Sequence, residues 1–453
     1  MIGTFTALVL ATVLQTSVIG VAAAPVPKVG PPAKVEIRNT AGRFQLFVNN
    51  ESFYIKGAGV EHGSPEKLAA HGGNSIRTWS TDNGRETGKQ FLDRALSNGL
   101  YVAMGLDVDH ERRGFDYSDT NAVAKQLAVL KAQVLEYRNH PALLMWVVGN
   151  ELNFEKNPQV WDAVNDLSKM IHEVDPNHPT TTTLAGFTQA TADTVKTRAS
   201  DLDFICFQMY SDIANLPRYL QVAKWDKPYI VSEWGATGHW ECGKTAWGAP
   251  IENDSTTKAD LYERRYKVVI ESDQKLCLGS YVFLWGNKQE RTPTWYGMFL
   301  DSGEETAPVD VMHHIWTGAW PTNRSPRLTG AWLDGKTANQ NVRLQSGQTY
   351  PAKVAASDPE GDALTYRWEV MEESTETKIG GDAESKPAHV AGVIDDPARS
   401  EISLKAPAKP GAYRLFAYVF DGQGHAAHVN IPFHVDDAPK TQQAAVGQSS
   451  AKQ

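Results

Sequence analysis

Eight short apolar runs, separated by segments of helical periodicity, constrain this chain more than any other feature. They read FYIKGAGV (53–60), NSIRTW (74–79), LYVAMGLDV (100–108), LLMWVVGNE (143–151), TTTTLAG (180–186), FICFQMY (204–210), YIVSEWG (229–235) and SYVFLWG (280–286). Runs of this kind are buried on both faces, the state of strands in a parallel sheet covered by helices. Between them lie helix-like stretches such as NAVAKQLAVLKAQVLEYRNH (121–140) and STTKADLYERRYKVVIESDQK (255–275). Ser255, Thr256 and Thr257 open the second as capping candidates. Eight strand-then-helix units over roughly 265 residues match the count and length of a (β/α)8 TIM barrel, expected over residues 53–319.

The pattern changes near Trp320. WPTNRSPRLTG (320–330) reads as a linker, and the residues after it alternate with period two between turn signals such as Asp421-Gly422. That predicts a smaller C-terminal β-sandwich over 331–437. Residues 25–52 are an N-terminal extension with a short hairpin, and the polar, small-residue-rich stretch 438–453 is expected to be disordered. Residues 1–24 hold no charged side chain and end in small residues, as a secretory signal peptide does. The mature chain is therefore expected to be secreted or periplasmic, with no membrane span.

Composition narrows the function classes. The 453 residues, 41% apolar and 21% charged, suit a large globular domain plus a small one. Net charge is −9 with no basic stripe, which argues against a nucleic-acid partner. Cys206, Cys242 and Cys277 have no CxxC spacing, so neither a disulfide framework nor a zinc site is indicated, and no cofactor is expected. Asp358, Glu360 and Asp362 offer oxygen ligands of the kind calcium takes, although a solvated acidic turn is the commoner state of such a group.

Active sites of (β/α)8 barrels sit at the C-terminal ends of the strands. Arg77 lies at the end of the second run, Asp107 and His110 close the third, and Asn150 and Glu151 close the fourth. Gln208 and Tyr210 close the sixth, Glu233 the seventh and Trp285 the eighth. Glu151 and Glu233 thus project into one cavity from opposite sides. Two opposed carboxyls are what glycoside hydrolysis uses, one protonated to help the leaving oxygen depart and one ionised to attack the anomeric carbon. Arg77 favours the ionised form of its neighbour and Tyr210 hydrogen-bonds it, while burial and a nearby negative charge raise the other. Trp240, Trp247 and Trp295, on loops after the seventh and eighth runs, offer flat apolar faces for sugar rings, or seal those loops. Asp107 and His110 are further candidates for binding hydroxyls.

WVVGNEL (146–152) and YIVSEWG (229–235) resemble the two catalytic signatures of the large (β/α)8 clan of retaining glycoside hydrolases. The nearest resemblance is to the barrel of glycoside hydrolase family 2. FYIKGAGVEHG (53–63) resembles that family's entry to the first strand, and GGNSIRTW (72–79) its second strand. It spans roughly residues 45–290. The resemblance implies Glu151 as acid/base, Glu233 as nucleophile and Asn150 as the partner of the sugar 2-hydroxyl. It likewise implies Arg77 and Tyr210 beside the nucleophile and Trp285 as the aromatic floor under the reacting sugar. The C-terminal segments SDPEGDALTYRW and YVFDGQGHA resemble polycystic-kidney-disease or cadherin-like modules. Family 2 enzymes usually carry β-sandwich domains before the barrel, whereas here only about 25 residues lie between the expected cleavage site and the first strand. The expected activity is therefore retaining hydrolysis of a β-linked, glucan-like oligo- or polysaccharide, with a groove-binding endo-enzyme at least as favoured as an exo-enzyme. Transglycosylation by the same covalent chemistry, or a non-catalytic carbohydrate-binding barrel, are the alternatives.

Overall fold

A computed structural model of the chain describes residues 24–376, 378 and 381–437. The expected signal peptide, but for its last residue, and the expected disordered tail lie outside the described residues. Three antiparallel strands come first, β1 (Val35–Thr40), β2 (Arg43–Val48) and β3 (Glu51–Phe53), in the order β1-β2-β3. Eight parallel strands then close a barrel: β4 (Ile55–Gly59), β5 (Ser75–Arg77), β6 (Tyr101–Leu106), β7 (Leu143–Val148), β8 (Thr180–Ala185), β9 (Phe204–Gln208), β10 (Tyr229–Gly235) and β11 (Cys277–Phe283). Pairing of β11 with β4 shuts the ring.

Helices follow the strands: α1 (Pro65–Ala70), α2 (Gly88–Ser97), α3 (Thr120–Tyr137), α4 (Gln159–Val174), α5 (Gln189–Arg198), α6 (Leu216–Val222), α7 (Ser255–Arg265) and α8 (Ala307–Thr317). Local chemistry sets their starts. Thr87 and Gln90 form a reciprocal capping box on α2, and the carboxylates of Asp119 and Asp254 accept from the first free N–H groups of α3 and α7. Asp254 thus caps α7, where the sequence pointed to the hydroxyl residues after it. The stretch expected as one helix over 255–275 leaves α-helical geometry after Arg265 and makes a π-helical turn over Tyr266–Ile270.

Every residue of β7 is buried. Leu143, Trp146 and Val148 belong to the apolar layer between strands and helices. Leu144, Met145 and Val147 belong to a second layer with Val48, Phe53 and Tyr281. The N-terminal sheet therefore packs against the barrel interior, and its β3 runs straight into the N-terminal end of β4. That leaves the opposite end, where the strands finish, for chemistry.

The C-terminal domain is built from β13 (Arg327–Leu333), β14 (Val342–Gln345), β15 (Thr349–Ser357), β16 (Thr365–Glu372), β17 (Glu401–Lys405), β18 (Gly411–Phe420) and β19 (His425–Asp436). One sheet holds β13-β15-β17, the other β19-β18-β16 with β14 on β19. The stretch expected as linker is partly strand, since β13 begins at Arg327. The two domains also share a sheet: β12 (Glu305–Thr306), from the barrel's last connection, pairs in parallel with His425 and Ala426 of β19. Among the described residues no helix is long and apolar enough to cross a membrane, and all three cysteines are free. Asp358, Asp362 and Asp421 bring carboxylate oxygens within 4.8 Å of one another, whereas Glu360 pairs with Arg324.

Candidate active site

Strand register assembles the site. Glu233 on β10 lies beside Gln208 on β9, so their side chains leave the sheet together. Four donors converge on the Glu233 carboxylate. Arg77 Nη1 donates to Oε1 at 2.5 Å, Trp79 Nε1 and Gln208 Nε2 donate to the same oxygen at 2.9 Å, and the Tyr210 hydroxyl donates to Oε2 at 3.0 Å. Arg77 is 1% exposed and Glu233 6% exposed, so this ion pair is almost dry. Burial, then the charge of Glu233, raises the Tyr210 phenol well above its ordinary value, so it keeps its proton and remains a donor.

Asn150 is tied into the same group. Its Oδ1 accepts from Arg77 Nη2 at 2.7 Å and from Gln208 Nε2 at 2.8 Å. Arg77 is an obligate donor, which fixes the amide so that its oxygen faces the guanidinium and its nitrogen is left for other partners.

Glu151 follows in a left-handed conformation, φ 54°, with its N–H donating to the Thr183 hydroxyl at 3.1 Å. Gly149, two residues before, has φ 74°, and a Cβ there would lie 2.4 Å from Leu152. The chain thus turns sharply as it leaves β7, and Glu151 swings into the cleft instead of continuing along the strand. Burial, and then the negative charge of Glu233, push Glu151 up to about 8. Both effects favour its protonated form. The two carboxyls line one cavity of about 690 Å³ and occupy opposite electrostatic environments.

The other candidates divide. Asp107, His110 and Trp240 line the same cavity. His110 is oriented by Glu155 at 2.6 Å, and Asp107 pairs with Arg113. Trp240 is 57% exposed and meets Tyr210 edge-on, leaving ring surface to the cleft. Trp285, Trp247 and Trp295 do not line it. Trp285 is fully buried, packs on Trp316 and Phe299, and donates its indole N–H to the Ser64 carbonyl. Trp295 is buried with its indole N–H on the Thr237 carbonyl, and Trp247 packs on His434 of the sandwich. The aromatic ring beside the nucleophile candidate is instead Trp79, over which the Arg77 guanidinium stacks at 4.7 Å. Gln208 stands among the strand-end residues of the sixth run, and Trp79 was legible in principle: it lies two residues from Arg77 at a strand end where alternate residues share a face.

Residues 95–252 match the family model of glycosyl hydrolases family 2, TIM barrel domain. Asn150, Glu151, Gln208, Tyr210 and Glu233 all fall inside the matched segment. The barrel is family-2-like. A β-glucuronidase from Streptococcus agalactiae is 26% identical over 271 residues, 51% of this chain and 44% of that protein. Among solved structures, a β-D-glucuronidase from Dictyoglomus thermophilum has a TM-score of 0.49 at 17% identity, covering 63% of this chain and 54% of its own. A putative β-galactosidase from Bacteroides fragilis has a TM-score of 0.47 at 13% identity, covering 89% and 58%. The chain thus spans about half the length of the relatives it matches.

Proposed function

We propose that this protein is a retaining β-glycoside hydrolase that removes a β-linked hexuronic acid or galactose-like sugar. Glu233 attacks the anomeric carbon while Glu151 gives its proton to the departing glycosidic oxygen. The C–O bond to the leaving group breaks and an ester to Glu233 forms. Glu151, now a carboxylate, takes a proton from water as the water displaces Glu233 with a second inversion, giving net retention. Asn150 Nδ2 reaches a sugar hydroxyl, and Trp79 and Trp240 present rings to the apolar faces of the sugars.

The observation that carries this reading is the contrast between the carboxyls. Glu233 faces an Arg77 guanidinium and three further donors, whereas Glu151 is raised. A pure binding barrel has no need of that contrast. The glucan-like substrate suggested by the sequence gives way to glycosides of the kinds named for the relatives, a glucuronide first. An exported location, from the residues 1–24 pattern, is part of the same proposal.

The test is a panel of p-nitrophenyl β-glycosides including the glucuronide, galacturonide, galactoside and glucoside, with proton NMR of the first sugar released. Cleavage with retention of the β anomer is expected. An α first product, or no cleavage across the panel, overturns the reading.

A further inference from the structure

The cleft is not made by the barrel alone. Lys378, Gly381 and Asp382, from the long connection between β16 and β17 of the sandwich, line the same cavity as Glu151 and Glu233. We propose that this part of the sandwich is a wall of the sugar site, against which the terminal sugar rests, so that Asp382 and the Gly381 backbone help determine specificity. The proposal rests on the glycoside hydrolase reading for the identity of the ligand.

The wall is held from two directions. Asp382 accepts from Arg112 Nη1 at 2.8 Å, and Arg112 lies on the loop after β6. The Gly381 carbonyl accepts from Lys288 Nζ at 3.0 Å, and Glu384 accepts from the Arg291 N–H at 2.6 Å. Lys288 and Arg291 lie on the loop after β11. In the ring, β4 and β5 stand between β11 and β6. Residues 381–384 therefore span the rim above β4 and β5, where Glu61 and Trp79 also face the cavity. A polymer laid across the barrel mouth cannot leave on that side. This favours a chain end over an internal linkage, contrary to the groove-binding expectation from the sequence.

Two details show a built contact. Gly381 has φ 76°, and a Cβ there would come 3.0 Å from Lys288 Nζ, so the glycine permits both the turn and the approach. The Glu384 side chain is 1% exposed, sealed against the barrel loop it binds. Beneath the rim, a dry polar network locks the domains together. Glu252 accepts from Lys258, Thr292, Thr294 and from Asn430 of β19, and Arg414 of β18 donates to the Pro250 carbonyl.

The test uses the full chain. Asp382→Ala and Gly381→Val are compared with wild type on the aryl β-glycoside that wild type cleaves best, with Lys386→Ala, whose ammonium reaches Asp301 rather than the cleft, as control. KM is expected to rise at least about fivefold in the first two variants with kcat within about twofold, the signature of lost binding shared by ground and transition states. In parallel, Asp382→Cys is labelled with iodoacetamide and mapped by mass spectrometry. D-glucuronic acid or D-galactose is expected to slow labelling of the introduced thiol. Unchanged KM in both variants overturns the proposal, as does labelling that neither sugar slows. If wild type cleaves no glycoside, the hydrolase reading fails separately, and the labelling result alone decides the wall.

Discussion

Glu151 and Glu233 are chemically the same side chain, and their surroundings divide the labour. Removing the proposed acid/base by Glu151→Gln should lower kcat on aryl glycosides by about 10²–10⁴-fold with folding intact. Glu233→Gln should abolish turnover at least as completely, and an undiminished rate in either variant removes that residue from the mechanism. The pH dependence has a definite sign. As the proposed acid Glu151 would work in its protonated form, and it is raised to about 8, so kcat/KM should hold through neutrality and fall as pH rises through that value. In Glu151→Gln that alkaline limb should vanish from the residual rate. The same carboxyls were visible in the sequence because each stands at or near the end of a short, largely apolar run, where an acidic residue has few places to go. The ring beside them was not. Thirteen tryptophans fit the composition equally well as core or as sugar platform, and burial of Trp285 or exposure of Trp240 depends on which loop lies over each.

At the scale of elements, the turn after β7 is what aims Glu151. Gly149→Ala meets both a left-handed backbone and a 2.4 Å approach to Leu152. It should cost roughly 1–2 kcal/mol in stability for the φ alone and move Glu151 away from the scissile oxygen. Chemical denaturation and kcat measured on the same preparation check both, and a variant with wild-type kcat would show that the turn does not aim the acid. The existence of β6, β7, β9, β10 and β11 was legible from largely apolar runs, since a strand buried on both faces leaves its pattern in sequence, whereas β5 and β8 carry serine, arginine and threonine. Their neighbours were less so. The start of β13 at Arg327 goes with contacts across domains, such as Leu328 N–H with the Thr256 hydroxyl.

For the whole molecule, the sandwich is tied to the barrel by buried polar contacts. Burial alone would raise Glu252, but the Lys258 ammonium and the donors around it outweigh that and hold it down at about 2. A carboxyl depressed on folding contributes stability above its unfolded pKa and loses it as pH falls toward the folded value. The joint between barrel and sandwich should therefore weaken between about pH 4.5 and pH 2, and Glu252→Gln should remove most of that acid dependence while costing about 3–5 kcal/mol through the stranded Lys258. A chain cut before Arg327 should melt at a lower temperature than the full chain, because β12, the Glu252 network and the rim above β4 and β5 would all lose partners. Calorimetry of the two forms checks this, and an unchanged melting temperature for the shortened chain would contradict it.

Sequence by itself determined the barrel, its strand ends and the two candidate carboxyls, because each is written in local periodicity and in a polar residue that breaks it. Tertiary structure alone decided which aromatics face the cleft, that burial raises Glu151 while Glu233 faces the Arg77 guanidinium, and that Gly381 and Asp382 line the same cavity. Those features arise where segments far apart in the chain meet, and desolvation and charge pairing there have no local sequence signal.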